Sequence, residues 1–192
     1  SKMTELDNAI GVLIDGLKER NLLDDTIIVL FGDHYPYAIN LDILNEILDR
    51  DLTNYENEKV PLIIYDRSLK ETITMDEYTS YINIVPTIAN LFDLDYDPRY
   101  YMGEDLFSSD YQSIVVFYDY SWKNEYAYYN SSTGKITYFT DFTYTDEEIK
   151  EINSQIYAKM NMSSNAIKSN YFAYLFSALE KEKETKNWKI LL

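Results

Sequence analysis

Phe31-Gly32-Asp33-His34 is the stretch of this sequence whose residue types are best suited to chemistry. Asp33 offers a hard carboxylate oxygen, and His34, the single histidine of the chain, offers an imidazole nitrogen. Adjacent donors of these two kinds suit Mn²⁺ or Zn²⁺ and, less well, Mg²⁺. The apolar run before them reads as a buried strand, and open α/β sheets collect ligands at the carboxyl ends of their strands. Gly32 is expected there to let the backbone turn sharply. The competing reading is a plain turn, with Asp33 capping a backbone N–H and His34 a satisfied loop residue. Two donors also fall short of the three or four that a complete protein site requires.

The elements that must position this pair follow from periodicity. Leu6, Ile10, Leu13 and Leu17 recur at helical spacing, so residues 4–20 read as an amphipathic helix. Thr4 with Asp7 resembles a capping box at its start, and Asn21 suits a left-handed turn at its end. Thr26 to Phe31 is apolar and β-branched, the pattern of a strand covered on both faces in a parallel sheet. Asn40 is placed to cap a second helix with Leu41, Leu44, Ile47 and Leu48 on one face. Val60 to Tyr65 reads as a second buried strand, with Pro61 near its start. Pro86 opens a short helix over residues 87–92, with Asn83 or Ile84 near the cap.

Near Phe107-Ser108-Ser109-Asp110 the character changes. Residues 114–120, 125–129 and 135–140 read as three strands, and the turn-rich Asn130-Ser131-Ser132-Thr133-Gly134 joins the last two as a hairpin. Thr145 with Glu148 is a capping box for a helix to about Met160, and a further helix spans about residues 164–183. Helix, strand, helix, strand is the alternation of an α/β layered sheet. Two regions are therefore expected, 1–107 as α/β core and 108–192 as a small antiparallel sheet plus helices.

Composition narrows the function classes. The 192 residues carry 17 Lys and Arg against 33 Asp and Glu, a formal charge of −16. Such a surface repels phosphate backbones and anionic lipid, which argues against nucleic acid as a partner. Cysteine is absent, so disulfides, thiol catalysis and sulfur-rich zinc sites are excluded together. The apolar runs are far shorter than the roughly 20 residues of a transmembrane helix, and no signal peptide is visible. The 20 tyrosines and Trp122 suit half-buried strands, with a sugar-stacking platform as the alternative use.

The segment from Leu22 to His34, LLDDTIIVLFGDH, resembles the "dDTiivl.GDH" stretch of the sulfatase and alkaline phosphatase-like superfamily. More narrowly, it is similar to that of lipoteichoic acid synthases and related phosphoglycerol transferases. The helix with Asp7-Asn8-Ala9-Ile10-Gly11 precedes it as in that family. Val60-Pro61-Leu62-Ile63-Ile64-Tyr65 matches "vPliiy", Ile84-Val85-Pro86-Thr87-Ile88 partly matches "diaPTil", and Met102-Gly103-Glu104-Asp105-Leu106-Phe107 matches "mGkDLf". The blocks keep the family's order over about residues 6–108, and the continuation Gly32 to Tyr37, GDHYPY, tilts toward the transferase branch.

The resemblance implies a partial alkaline phosphatase-like three-layer sandwich with a C-terminal antiparallel strand and helix subdomain. It implies that Asp33 and His34 ligate a divalent metal, Mn or Mg in the intact enzyme. The family's threonine nucleophile, a further acidic ligand and a substrate-binding histidine lie upstream of the matched segment, so no catalytic residue is assigned in this chain. The chain is accordingly expected to be the C-terminal part of a phosphoglycerol transferase, inactive alone. The partners so implied are the missing N-terminal part of the catalytic domain and a phospholipid or glycerol-phosphate polymer. The place implied is the extracytoplasmic face of a membrane, with self-association of the fragment expected. A sulfatase or phosphodiesterase fragment, or a non-catalytic polymer-binding module, is the alternative. Asn83 stands where the family has an acidic residue and Asp93 where it often has glycine; both read as structural. Asp105 reads as a turn residue, Arg99 as a solvated surface group, and Thr87 lacks a basic neighbour to activate it.

Overall fold

A computed structural model of the chain describes residues 2–53 and 56–190, with side chains to residue 181. The protein is mixed α/β with antiparallel sheets, and it divides into two compact units, Ser1–Thr74 and Met75–Leu192.

The first unit opens with α1, Lys2–Glu19. The helix begins two residues before Thr4, which therefore lies within its first turn, and the expected Thr4–Asp7 capping box does not mark the start. Its end is as expected. Asn21 is left-handed at φ 54°, and the N–H groups of Asn21 and Leu22 return to the carbonyls of Lys18 and Leu17 at 3.0 and 2.9 Å. These are the two bonds that satisfy orphan carbonyls at a helix C-terminus. Strand β1, Ile28–Phe31, follows, then α2, Leu41–Leu48, whose first turn is capped by Asn40 accepting from the Asp42 N–H at 2.8 Å.

Strand β2, Leu62–Tyr65, pairs with β1 antiparallel, Ile28 opposite Tyr65 and Phe31 opposite Leu62. This corrects the expectation of a parallel, doubly covered sheet. An apolar run encodes two faces to be covered; it does not encode the direction of the neighbouring strand. Neither strand contains a fully buried residue. Gly32 extends the ladder by one rung, its N–H donating to the Pro61 carbonyl at 3.2 Å. A Cβ at Gly32 would meet Val60 Cβ at 3.0 Å, so glycine serves close approach of the two chains here, and no left-handed turn is involved.

The second unit begins with turns and α3, Ile84–Leu91. The architectural change read at residues 107/108 falls within this unit, where the strands begin. A four-stranded antiparallel meander runs β3 (Val115–Val116), β4 (Trp122–Lys123), β5 (Ala127–Asn130) and β6 (Lys135–Tyr138). The strand expected over 114–120 is shorter because the chain reverses at 117–121, and Trp122–Lys123 forms a strand of its own. The β5–β6 hairpin forms as expected, with Gly134 left-handed at φ 66°. Helices α4, Asp146–Lys168, and α5, Tyr171–Ile190, complete the unit. The Thr145–Glu148 capping box is present in both directions. The break between α4 and α5 falls at Asn170, left-handed at φ 53°, later than expected.

The core of this unit is fully buried Trp122 with Ala127 and Ile156, surrounded by Ile114, Val116, Tyr129, Tyr144 and other half-buried side chains. Tyr129 stacks on the indole at 5.7 Å and Tyr144 meets it edge-on at 5.8 Å. Indole Nε1–H donates to Asn153 Oδ1 at 2.8 Å, which satisfies the one polar atom buried with the ring.

Candidate metal centre

Asp33 and His34 follow directly on β1, as the strand leaves its ladder. Their side chains are 89% and 54% exposed, and His34 Nε2 lies 3.6 Å from Asp33 Oδ1. That distance is too long for a hydrogen bond. It matches the span of two donors that share one ion at bond lengths of about 2.0–2.2 Å.

The tautomer of His34 follows from its other nitrogen. Nδ1 lies 2.8 Å from the Tyr35 carbonyl oxygen, which can only accept, so Nδ1 carries the proton. In the neutral ring Nε2 then keeps its lone pair on the side of Asp33, the arrangement in which histidine ligates metals. Tyr37 packs on the imidazole at a centroid distance of 4.8 Å and an angle of 51°, and Tyr35 meets Tyr37 edge-on at 5.9 Å. Neither contact was legible in the sequence. The Tyr35 partner is a main-chain atom common to every residue, and the Tyr37 contact depends on how the loop after Pro36 closes.

The donor set fits part of a divalent-cation site and no more. Among the described residues, no group of three or more His, Asp or Glu side chains is placed to hold an ion. One carboxylate and one imidazole are donors that a divalent cation can take.

The other residues weighed in the sequence have structural roles. Thr87 is buried, donates to the Asn83 carbonyl at 2.6 Å and accepts from the Leu106 N–H at 3.0 Å, so its hydroxyl is occupied. Asn83 stands at the α3 N-cap, but its side chain does not cap the helix. Its amide donates to Thr79 and Tyr111, and its oxygen accepts from the Glu104 N–H at 2.9 Å. Asp93 is left-handed at φ 49° and ends α3, taking the place that glycine would fill. Asp105 accepts from the Phe107 N–H at 3.0 Å within a turn. Arg99 is clasped by Asp97 at 2.5–3.1 Å, and those hydrogen bonds hold the Asp97 carboxyl below its usual range. One structural residue escaped the sequence reading. A Cβ at Gly103 would sit 1.9 Å from the Ile82 carbonyl oxygen, so only glycine fits.

Residues 1–94 match the family described as Sulfatase. Lipoteichoic acid synthase 1 of Bacillus subtilis (strain 168) is 33% identical over 116 residues, covering 58% of this chain and 18% of that protein. Lipoteichoic acid synthase 2 of the same strain is 29% identical over 141 residues, 68% of this chain and 22% of that protein. The lipoteichoic acid synthase of Staphylococcus aureus (strain USA300) is 24% identical over 179 residues, 88% of this chain and 27% of that protein. The chain thus spans about a fifth to a quarter of the length of the curated relatives it matches. On these matches, residues 1–94 are a segment of the sulfatase family, and the chain resembles lipoteichoic acid synthase.

Proposed function

We propose that this chain supplies two ligands of the catalytic metal in a lipoteichoic acid synthase-like phosphoglycerol transferase. The observation that carries the reading is the convergence of Asp33 Oδ1 and His34 Nε2 at 3.6 Å, both open to solvent at the end of β1. When bound, a divalent ion of the Mn²⁺ or Mg²⁺ kind supplies Lewis-acid charge stabilisation for phosphoryl transfer. The chain's own part is positional. Asp33 brings negative charge to the strand end, the Tyr35 carbonyl fixes the His34 tautomer, and Tyr37 restricts the imidazole plane.

The remaining donors and the nucleophile belong, in this reading, to a part of the protein outside these 192 residues. That is in keeping with the small share of each relative that the chain covers. The same reading makes residues 1–107 a portion of a three-layer sandwich, working on phospholipid head groups or a glycerol-phosphate polymer at the extracytoplasmic face of a membrane. No helix among the described residues is long and apolar enough to cross a membrane. The transferase is favoured over a sulfatase or phosphodiesterase because the curated relatives reported above carry the synthase name.

The test is glycerol-phosphate transfer by the full-length protein carrying Asp33→Asn or His34→Gln. Loss of about a hundredfold or more in kcat, restored by no added Mn²⁺, is the expected outcome. Activity within about threefold of wild type in both variants would overturn the assignment.

A further inference from the structure

Gly32 stands between Phe31, the last paired residue of β1, and the Asp33–His34 pair. Its φ is not positive, so its backbone conformation is open to any residue. What excludes a side chain there is a neighbour. A Cβ at Gly32 would meet Val60 Cβ at 3.0 Å and Cγ1 at 3.1 Å, and next the main-chain oxygen of His34 at 3.7 Å. The first two distances are shorter than an ordinary carbon–carbon contact; the third is an ordinary one.

The Val60 side of this contact yields poorly. Valine is β-branched, so its methyl groups are held in few rotamers. It precedes Pro61, which bars its main chain from the helical region. Pro61 in turn carries the carbonyl that accepts the Gly32 N–H at 3.2 Å, and Leu62 to Tyr65 are paired residue by residue with β1. The other side is open. The Asp33 and His34 side chains are 89% and 54% exposed, with no packed layer over them to resist movement. A methyl group at position 32 is therefore accommodated by a shift of residues 32–34, and not by retreat of β2.

Such a shift falls on the two donors. At bond lengths of about 2.0–2.2 Å, two ligands share one ion up to a separation of about 4.4 Å. Asp33 Oδ1 and His34 Nε2 stand at 3.6 Å, so a change of less than about 1 Å carries them to that limit. We propose that the contact of Gly32 with Val60, stiffened by Pro61, is the positioning device of the Asp33–His34 pair. The inference rests on the metal-ligand reading of that pair and adds the residues that set its span.

The test is Mn²⁺ titration of the 192-residue chain, read by paramagnetic broadening at Asp33 and His34. The His34 ring shifts of the metal-free chain are a second readout, because the imidazole lies against the Tyr37 ring at 4.8 Å. Gly32→Ala is expected to weaken Mn²⁺ binding about fivefold or more and to move those shifts. The double variant Gly32→Ala/Val60→Gly, which removes the obstructing side chain, should recover affinity to within about twofold of wild type and return the shifts. Glycine at position 60 adds no stability of its own, so recovery separates restored geometry from a general gain in folding. A double variant that binds no better than Gly32→Ala would overturn the positioning role. Asp33→Asn serves as the control on the underlying reading. If it abolishes broadening while Gly32→Ala behaves as wild type, this inference fails and the metal assignment stands. If Asp33→Asn broadens as wild type does, the metal assignment fails and takes this inference with it.

Discussion

The carbonyl oxygen of Tyr35 lies 2.8 Å from Nδ1 of its neighbour His34, and this single contact decides which imidazole nitrogen can face a metal. The ¹⁵N shifts of the neutral ring should therefore report a protonated Nδ1 and a bare Nε2. Added Mn²⁺ should broaden His34 and Asp33 resonances first, with affinity weaker than micromolar, because the unsupplied positions stay with water. A dominant Nε2–H tautomer, or submicromolar binding by calorimetry, would contradict the geometry.

Tyr37 restrains the imidazole from its face at 4.8 Å. Tyr37→Ala should leave the thermal midpoint of the chain nearly unchanged, since the residue is exposed, yet weaken Mn²⁺-induced broadening at His34 severalfold. Tyr37→Phe should restore it, because the contact uses the ring and not the hydroxyl. If Tyr37→Phe behaves like Tyr37→Ala, ring packing is not what orients His34.

Gly103 touches the main chain at Ile82 more closely than any side chain permits. Gly103→Ala must push the 102–105 loop away, which breaks the bond from the Glu104 N–H to Asn83 Oδ1 and leaves a buried amide oxygen unpaired. A loss of about 3 kcal/mol or more is expected in chemical denaturation of the second unit. A loss under about 1 kcal/mol would mean the loop yields freely.

Trp122 is fully buried against Tyr129 and Tyr144. Trp122→Ala should cost about 3–5 kcal/mol by denaturant titration, and Trp122→Phe less, although Phe strands the Asn153 carbonyl that the indole N–H serves. Equal losses in the two variants would point to the hydrogen bond as the dominant contribution.

Glu148 is held below the ordinary glutamate value of 4.5, first by the Thr145 backbone N–H and then by the Thr145 hydroxyl. A depressed carboxyl pKa stabilises the folded state above the unfolded value, and that contribution is lost as pH falls through the folded value. The thermal midpoint should thus decline below about pH 4.5, and Glu148→Gln should flatten the part of the decline that this carboxyl causes. A variant whose pH profile overlays that of wild type would remove the capping box from the account of acid sensitivity.

Several elements were legible in the sequence because their causes are local. Asn40 and the Thr145–Glu148 pair set helix starts through hydrogen bonds spanning two or three residues. Asn21 and Asp93 end helices because their side chains accept φ near 50°. The Asp33–His34 pair was identified by residue type alone, and adjacency on the chain kept the two groups close.

What sequence order could not fix was decided by contacts between distant residues. The direction of β2 against β1, the split of the 114–120 run at Tyr120, and the role of Asn83 as a tie to Tyr111 and Glu104 depend on partners 6 to 37 positions away. The tyrosines show the division most plainly. Composition announced aromatic wealth, whereas only tertiary packing separated Tyr129 and Tyr144, half-buried against Trp122, from Tyr118 and Tyr157, left open to water. A side chain's type and its neighbours along the chain set its local conformation; its burial is set by surfaces that the chain brings together only on folding.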